Sequence, residues 1–211
     1  MTDASVTAEK LLQAGAVKLS ATHPFTWASG WKSPIYCDNR KLLSLPFTRD
    51  FIKSELANTV FEKFPDADII AGVATAGIAW GAMVADQLKL PFLYVRPKPK
   101  EHGLGNQIEG YYEPNQKAVI IEDLISTGKS SLQVADVLRN AGVEVIGMVS
   151  IFNYLFDAAK DAFIAADVQL YSLTNYPSLL DLAFKKGLIV EDQKEVLLNW
   201  RSDPANWTGV Y

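Results

Sequence analysis

Two adjacent carboxylates, Glu122 and Asp123, stand between an apolar run and a loop of small residues. Ahead of them, Ala118 to Ile121 is short and rich in β-branched residues, as in a strand buried on both faces. Behind them, Ser126-Thr127-Gly128 leads into Ser130 to Ala141, where Leu132, Val134, Ala135, Val137 and Leu138 recur at helical spacing. In an open α/β sheet the ligand crevice lies beyond the carboxyl ends of the strands. A helix N-terminus there offers free N–H groups to an anion. The loop therefore reads as a phosphate cradle. Carboxylates would repel a bare phosphate, but they can accept hydrogen bonds from sugar hydroxyls while the phosphate sits further along. The ligand class expected is a ribose 5-phosphate unit. A nucleotide-binding P-loop is excluded, because it needs a glycine five residues before the Gly128-Lys129 pair and position 123 is aspartate.

A second chemically loaded stretch is Arg96 to Gln107, which follows the apolar strand Pro91 to Val95 and contains Lys98, Lys100 and His102. Its prolines, glycines and charges leave it no helical face and nothing to bury, so it is expected to be a surface loop. Because it leaves a strand's C-terminal end, its cations share an edge with the cradle. They suit a multiply charged anion departing from the sugar's anomeric carbon, whose charge grows in the transition state.

The elements that must position these residues follow from periodicity. Thr7 to Ser20 has an amphipathic helical pattern, with Thr7 as N-cap. Residues 22 to 39 mix aromatics with turn formers and predict short strands, His23 being a surface loop residue. Pro46 to Phe64 predicts a helix with Phe47, Phe51, Leu56, Val60, Phe61 and Phe64 on one side. Ala67 to Gly72 is a buried strand, and Val73-Ala74-Thr75-Ala76-Gly77 opens the helix Ile78 to Leu88, forming a second strand-loop-helix. After the central stretch come a strand (Val145 to Phe152), a helix (Phe156 to Ala165), a strand (Val168 to Leu173) and helices at Tyr176 to Lys186 and 192 to 201. This alternation predicts an α/β fold with a mostly parallel central sheet flanked by helices.

The chain has 211 residues, 49% of them hydrophobic, enough for one substantial core, and no linker divides it. A single domain spanning 1–211 is expected. The net charge of −4 argues against a broad nucleic-acid footprint. With one cysteine, Cys37, and two histidines, no disulfide and no zinc-ligand pattern can be assembled. Met1 to Leu12 lacks the apolar core of a signal peptide and no apolar run approaches a membrane span, so a cytoplasmic protein with no membrane partner is expected.

The central stretch resembles the phosphoribosyl diphosphate (PRPP) binding signature of the type I phosphoribosyltransferases: four apolar residues, two acids, two apolar residues, then Ser-Thr-Gly-x-Ser. Over nearly all of its length the chain is similar to the orotate phosphoribosyltransferase family of the bacterial pyrimidine pathway. Phe25 to Gly30, Ser33 to Arg40, Arg96 to His102 and Gly105 to Gly110 carry that likeness.

The resemblance implies the type I fold with a small N-terminal hood over approximately residues 1–40. It implies transfer of phosphoribosyl from PRPP to orotate for UMP biosynthesis, Mg²⁺ carried mainly by PRPP with no protein metal site, and a homodimer whose lid loop acts in the neighbouring subunit. Residue by residue, it puts Arg96, Lys98, Lys100 and His102 on the diphosphate, and Glu122 and Asp123 on the ribose hydroxyls. Leu124 and Ile125 continue the motif, and Ser126, Thr127, Gly128, Lys129 and Ser130 take the 5′-phosphate. Ser126 also falls at the orotate position, and Asp123 and Lys100 are the residues assigned to catalysis. The chain departs from the enteric pattern at Ala28, at Thr75-Ala76, at Pro97 with its lysine displaced to Lys98, and around Phe152-Asn153, where an orotate-contacting arginine is replaced. These changes fall mainly on the base side. The alternatives are a type I phosphoribosyltransferase for another base, or a PRPP-sensing regulator of the same fold.

Overall fold

Asp3 begins the first helix by accepting a hydrogen bond from the Ser5 N–H at 2.9 Å, so the N-cap lies four residues before the expected Thr7. That helix, α1 (Ala4–Gln13), is shorter than its apolar pattern. Gly15 takes a left-handed φ of 61° and turns the chain into a strand, β1 (Val17–Leu19), so Val17 and Leu19 belong to a strand and not to the helix. The structure is a computed structural model that describes residues 3–27, 29–98 and 107–208. The chain groups into two units, Asp50–Leu173 and Thr2–Arg49 with Thr174–Tyr211.

In the second of these units the aromatic stretch after α1 forms the expected short strands, β2 (Phe25–Thr26), β3 (Lys32–Ser33) and β4 (Ile35–Cys37). Strand β1 pairs antiparallel with β4, and β2 with β3. A 3₁₀ helix over Asn39–Ser44 follows, and His23 is exposed.

The next helix, α2 (Pro46–Lys63), stops one residue short of the expected Phe64, and the expected face is buried only in part, through Leu56, Val60 and Phe64. Ile52, Leu56, Ala57 and Val60 are in the core, whereas Phe47 is 95% and Phe61 71% exposed. At 100° per residue the inward stripe runs through 52, 56 and 60, and Phe47 and Phe61 fall outside it.

In the Asp50–Leu173 unit, β5 (Ile69–Val73), α3 (Ala76–Leu88), β6 (Phe92–Val95), β7 (Ile108–Glu109), β8 (Lys117–Ile125), α4 (Lys129–Asn140), β9 (Glu144–Asn153) and α5 (Asp157–Ala165) follow in turn. Strand β10 (Leu170–Asn175) completes a six-stranded sheet of order β10-β9-β8-β5-β6-β7. Strands β9, β8, β5 and β6 are mutually parallel, and the short β7 returns antiparallel to β6. Every residue from Ala118 to Ile121 is buried, as an apolar run covered on both faces requires.

From β5 the chain moves first to β6 on one side and later to β8 on the other, so the connections diverge between the carboxyl ends of β5 and β8. In a doubly wound sheet that divergence opens the crevice. Helix α3 lies close over the sheet. A Cβ on Gly77 would stand 2.5 Å from the Ile121 carbonyl oxygen, and one on Gly81 would stand 2.8 Å from the Phe92 ring.

The chain ends with α6 (Tyr176–Lys185) and α7 (Glu191–Ser202) in the unit that contains α1. Trp200 is fully buried at its centre. Its ring lies 5.6 Å from Trp27 and 5.4 Å from Tyr176, and its indole N–H donates to the Lys32 carbonyl at 3.1 Å. Lys186 pairs with Glu9 at 2.6 Å. No helix among the described residues is long and apolar enough to cross a membrane.

Candidate active site

The acidic pair lies inside β8, which runs four residues beyond the expected end at Ile121. Hydrogen bonding to β9 explains the extension: Glu122 stands opposite Ser150, Leu124 opposite Phe152 and Ile125 opposite Asn153. The ladder holds both carboxylates at fixed heights above the end of the sheet.

Glu122 is only 5% exposed, and Asp123 is half-buried. One Glu122 oxygen accepts from the Asp123 backbone N–H at 2.9 Å, and the other from the Ser131 hydroxyl at 2.8 Å. Burial, and then the neighbouring Asp123 carboxylate, push the Glu122 carboxyl well above its ordinary value, while the two donors pull the other way. The pair thus divides into a buried member with its oxygens engaged and a member nearer the solvent.

Beyond Ile125 the loop turns at Gly128, whose φ of 77° suits a residue without a side chain. A Cβ there would also lie 2.6 Å from the buried Phe163 ring. No side chain caps α4. Its leading N–H groups are therefore left for a ligand, at the positive end of the helix dipole. Ser126 and Thr127 are half-buried, and Lys129 and Ser130 are exposed.

The second strand-loop-helix, β5 to α3, has the same form. Thr75 is exposed and α3 also lacks a side-chain cap, with the peptide between Ala74 and Thr75 cis. A pocket beside these strand ends is lined by Val73, Ala74, Arg96, Gln107 and Ser130. Arg96 is thereby brought to the cradle, with Glu109 3.8 Å from its guanidinium. Gln107 closes the base of the intervening segment. Its carbonyl accepts from the Arg96 N–H at 2.8 Å, and its amide donates to the Arg96 carbonyl at 3.2 Å.

Of the residues singled out in the sequence, Arg96, Glu122, Asp123 and Ser126 to Ser130 gather at this edge, with Leu124 and Ile125 in the strand between them. Lys98 is exposed at the start of the basic segment. Lys100, His102 and Ala28 lie outside the described residues.

Two further residues at this edge carry no motif of their own. Ser131 is one position past the signature and 1% exposed. Asn153 is 6% exposed and its side-chain oxygen accepts from the Leu155 N–H at 2.8 Å. Each is a short polar side chain in an apolar pattern. The departure from the enteric pattern around Phe152-Asn153 marks Asn153 in the sequence, whereas only its place in the first helical turn hints at Ser131.

Comparison with known proteins bears on the whole chain. Residues 51–169 match the phosphoribosyl transferase domain family. The chain is 58% identical over 200 residues to an orotate phosphoribosyltransferase of Phocaeicola vulgatus, covering 95% of this chain and 94% of that one. It is 54% identical to one of Bacteroides thetaiotaomicron over the same shares. Among solved structures, the orotate phosphoribosyltransferase of Aeropyrum pernix superposes with a TM-score of 0.75 at 29% identity, covering 87% of this chain and 99% of that one. A cradle at the β5/β8 divergence, an acidic pair leading into it and relatives of this closeness along almost the full length agree: the chain belongs to the orotate phosphoribosyltransferases of the phosphoribosyl transferase domain family.

Proposed function

We propose that this protein transfers the 5-phosphoribosyl group of PRPP to orotate, giving orotidine 5′-monophosphate and diphosphate. The observation that carries this reading is the unbroken passage from a hydrogen-bonded acidic pair into an uncapped helix N-terminus. It offers a carboxylate for sugar hydroxyls and free N–H groups for a 5′-phosphate on one edge.

In the reaction a ring N–H of orotate gives up its proton, to the departing diphosphate or to solvent, and that nitrogen forms a bond to the anomeric carbon as the bond from that carbon to the diphosphate oxygen breaks, the diphosphate leaving with the electron pair. Asp123, the member of the pair nearer the solvent, accepts from the ribose hydroxyls and supports positive charge at the sugar carbon. The N–H groups of the α4 first turn, with Ser126, Thr127 and Ser130, hold the 5′-phosphate. Arg96 and Lys98, together with Lys100 and His102, neutralise the departing diphosphate. Ser126 stands on the base side beside Asn153, the β9 residue paired with Ile125.

Magnesium prefers a few carboxylate oxygens together with substrate phosphates. The donors here suit that mode, because Asp123 alone of the pair lacks the burial that encloses Glu122. When bound with the substrate, Mg²⁺ would be carried mainly by PRPP and would offset the diphosphate charge, and Asp123 would be the residue of the pair to help hold it. We further propose a homodimer in the cytoplasm, with Lys100 and His102 acting in the neighbouring subunit.

The reading is tested by incubating the protein with PRPP, Mg²⁺ and orotate. One diphosphate is expected per orotate consumed, with turnover abolished by EDTA. Diphosphate release without orotate loss would refute it.

A further inference from the structure

We infer that Glu109 is a positioning residue for Arg96, holding its guanidinium beyond the end of β6 in the orientation that meets the diphosphate. This deepens the proposed function and rests on it.

Strand register makes the two residues neighbours. Tyr94 stands opposite Glu109 and Val95 opposite Ile108, and the Arg96 N–H donates to the Gln107 carbonyl at 2.8 Å, one step further along the same ladder. Side chains alternate between faces, so Arg96 and Glu109 are diagonal partners on one face, while Ile108, 9% exposed, is packed on the other. Strand β7 has little room to shift. A Cβ on Gly110 would stand 2.9 Å from the Leu93 Cβ, and the Gln107 amide donates to the Arg96 carbonyl at 3.2 Å. Glu109 therefore keeps a set place beside an arginine whose own side chain is long and rich in rotamers.

The separation decides what kind of link this is. Arg96 Nη1 and Glu109 Oε1 are 3.8 Å apart, longer than a hydrogen bond, and their side chains are 36% and 24% exposed. At that distance the carboxylate attracts the guanidinium without occupying its N–H groups. A bidentate pair would instead compete with the diphosphate for the same donors. Arg96 also lines the pocket with Ser130 and the carboxyl end of β5, so the orientation that Glu109 favours is one already turned toward the cradle. Ordering a long side chain before the anion arrives removes part of the entropy cost of binding. A partly exposed pair adds little to folding stability, so its effect belongs to ligand capture.

Glu109 acts on the diphosphate in two opposite senses. Through Arg96 it favours binding, and as a like charge nearby it opposes it. Removing Arg96 separates the two.

The test measures the Kd of diphosphate with Mg²⁺ by titration calorimetry, and steady-state KM values, for the wild type, Glu109→Gln, Arg96→Ala and the double variant. Glu109→Gln is expected to weaken diphosphate binding about threefold, the scale of a partly exposed ion pair. The KM for PRPP should rise by a similar factor, and the KM for orotate should keep its wild-type value. In the Arg96→Ala background the same substitution should leave diphosphate affinity unchanged or improve it, because the carboxylate there only repels. Where Arg96→Ala binds diphosphate too weakly to titrate, kcat/KM for PRPP supplies the same comparison.

Equal weakening in both backgrounds would make Glu109 a general support of β7. Tighter or unchanged diphosphate binding on replacing Glu109 alone would make it a competitor for Arg96 or a bystander. Any of these results overturns the inference. A wild type that binds neither PRPP nor diphosphate would instead sink the functional reading, and the inference with it.

Discussion

At the scale of the residue, adjacency in sequence has produced two unlike carboxylates. Glu122 is enclosed and Asp123 half-buried, so one backbone step separates a group that is costly to ionise from one nearer the solvent. Because the folded-state value of Glu122 is raised, its contribution to stability is present below the ordinary glutamate value of 4.5. It is lost as pH rises through the higher folded value. Glu122→Gln cannot ionise, so thermal melts should show the wild type losing stability relative to this variant as pH rises from about 4.5; a difference that grows in the wild type's favour would contradict the assignment. For Asp123 the expectation is kinetic. Asp123→Asn keeps the shape and removes the charge, so kcat should fall by more than PRPP affinity if part of the interaction belongs to the transition state. Equal turnover in variant and wild type would leave the carboxylate a structural role only.

At the scale of the element, the cradle depends on a turn that only glycine fits. Gly128→Ala would place a side chain at φ 77° and 2.6 Å from the packed Phe163 ring. Strain and overpacking together should cost about 2–4 kcal/mol, a fall in Tm of roughly 5–15 °C for a chain of this size. PRPP affinity should fall as well, and calorimetry with a binding titration checks both. A variant with unchanged Tm and affinity would show the turn to be pliable.

Elements are also where the sequence was most legible. The apolar run 118–121 and the stripe Leu132 to Leu138 identify β8 and α4 from periodicity. The last part of β8 escaped notice because its ladder with β9 is non-local and two acids interrupt the apolar run there. Helix α1 was overextended because Val17 and Leu19, apolar at helical spacing, in fact alternate as a strand after Gly15. On α2, treating every phenylalanine as core placed Phe47 and Phe61 inside, where the angular position of each residue puts them outside.

At the scale of the molecule, the chain's two ends contribute to one unit and its middle supplies the sheet and the candidate site. Local patterning could not reveal that first arrangement. Trp200 shows why: its neighbours Trp27, Lys32 and Tyr176 come from distant parts of the sequence, and its burial depends on their assembly. Motif spacing located the cradle correctly because its strand, acids, loop and helix are contiguous. It missed Ser131, which the fold brings to 2.8 Å from a Glu122 oxygen.

The proposed dimer belongs to this scale too. If Lys100 serves the neighbouring subunit, refolding inactive Lys100→Ala together with inactive Asp123→Asn should restore activity, because a mixed dimer then contains one intact site. Subunit exchange without recovery would place Lys100 in its own subunit's site or outside catalysis.

Base choice is the most direct test of the whole account, because the PRPP side is shared by any phosphoribosyltransferase with this cradle, whereas Ala28, Thr75, Ala76 and Asn153 depart from the enteric pattern. The measurement is consumption of each base in a panel of orotate, uracil, adenine, guanine and hypoxanthine, each incubated separately with PRPP and Mg²⁺. The account predicts that orotate is consumed and converted to orotidine 5′-monophosphate while the others persist. Orotate left intact while another base is consumed would contradict it.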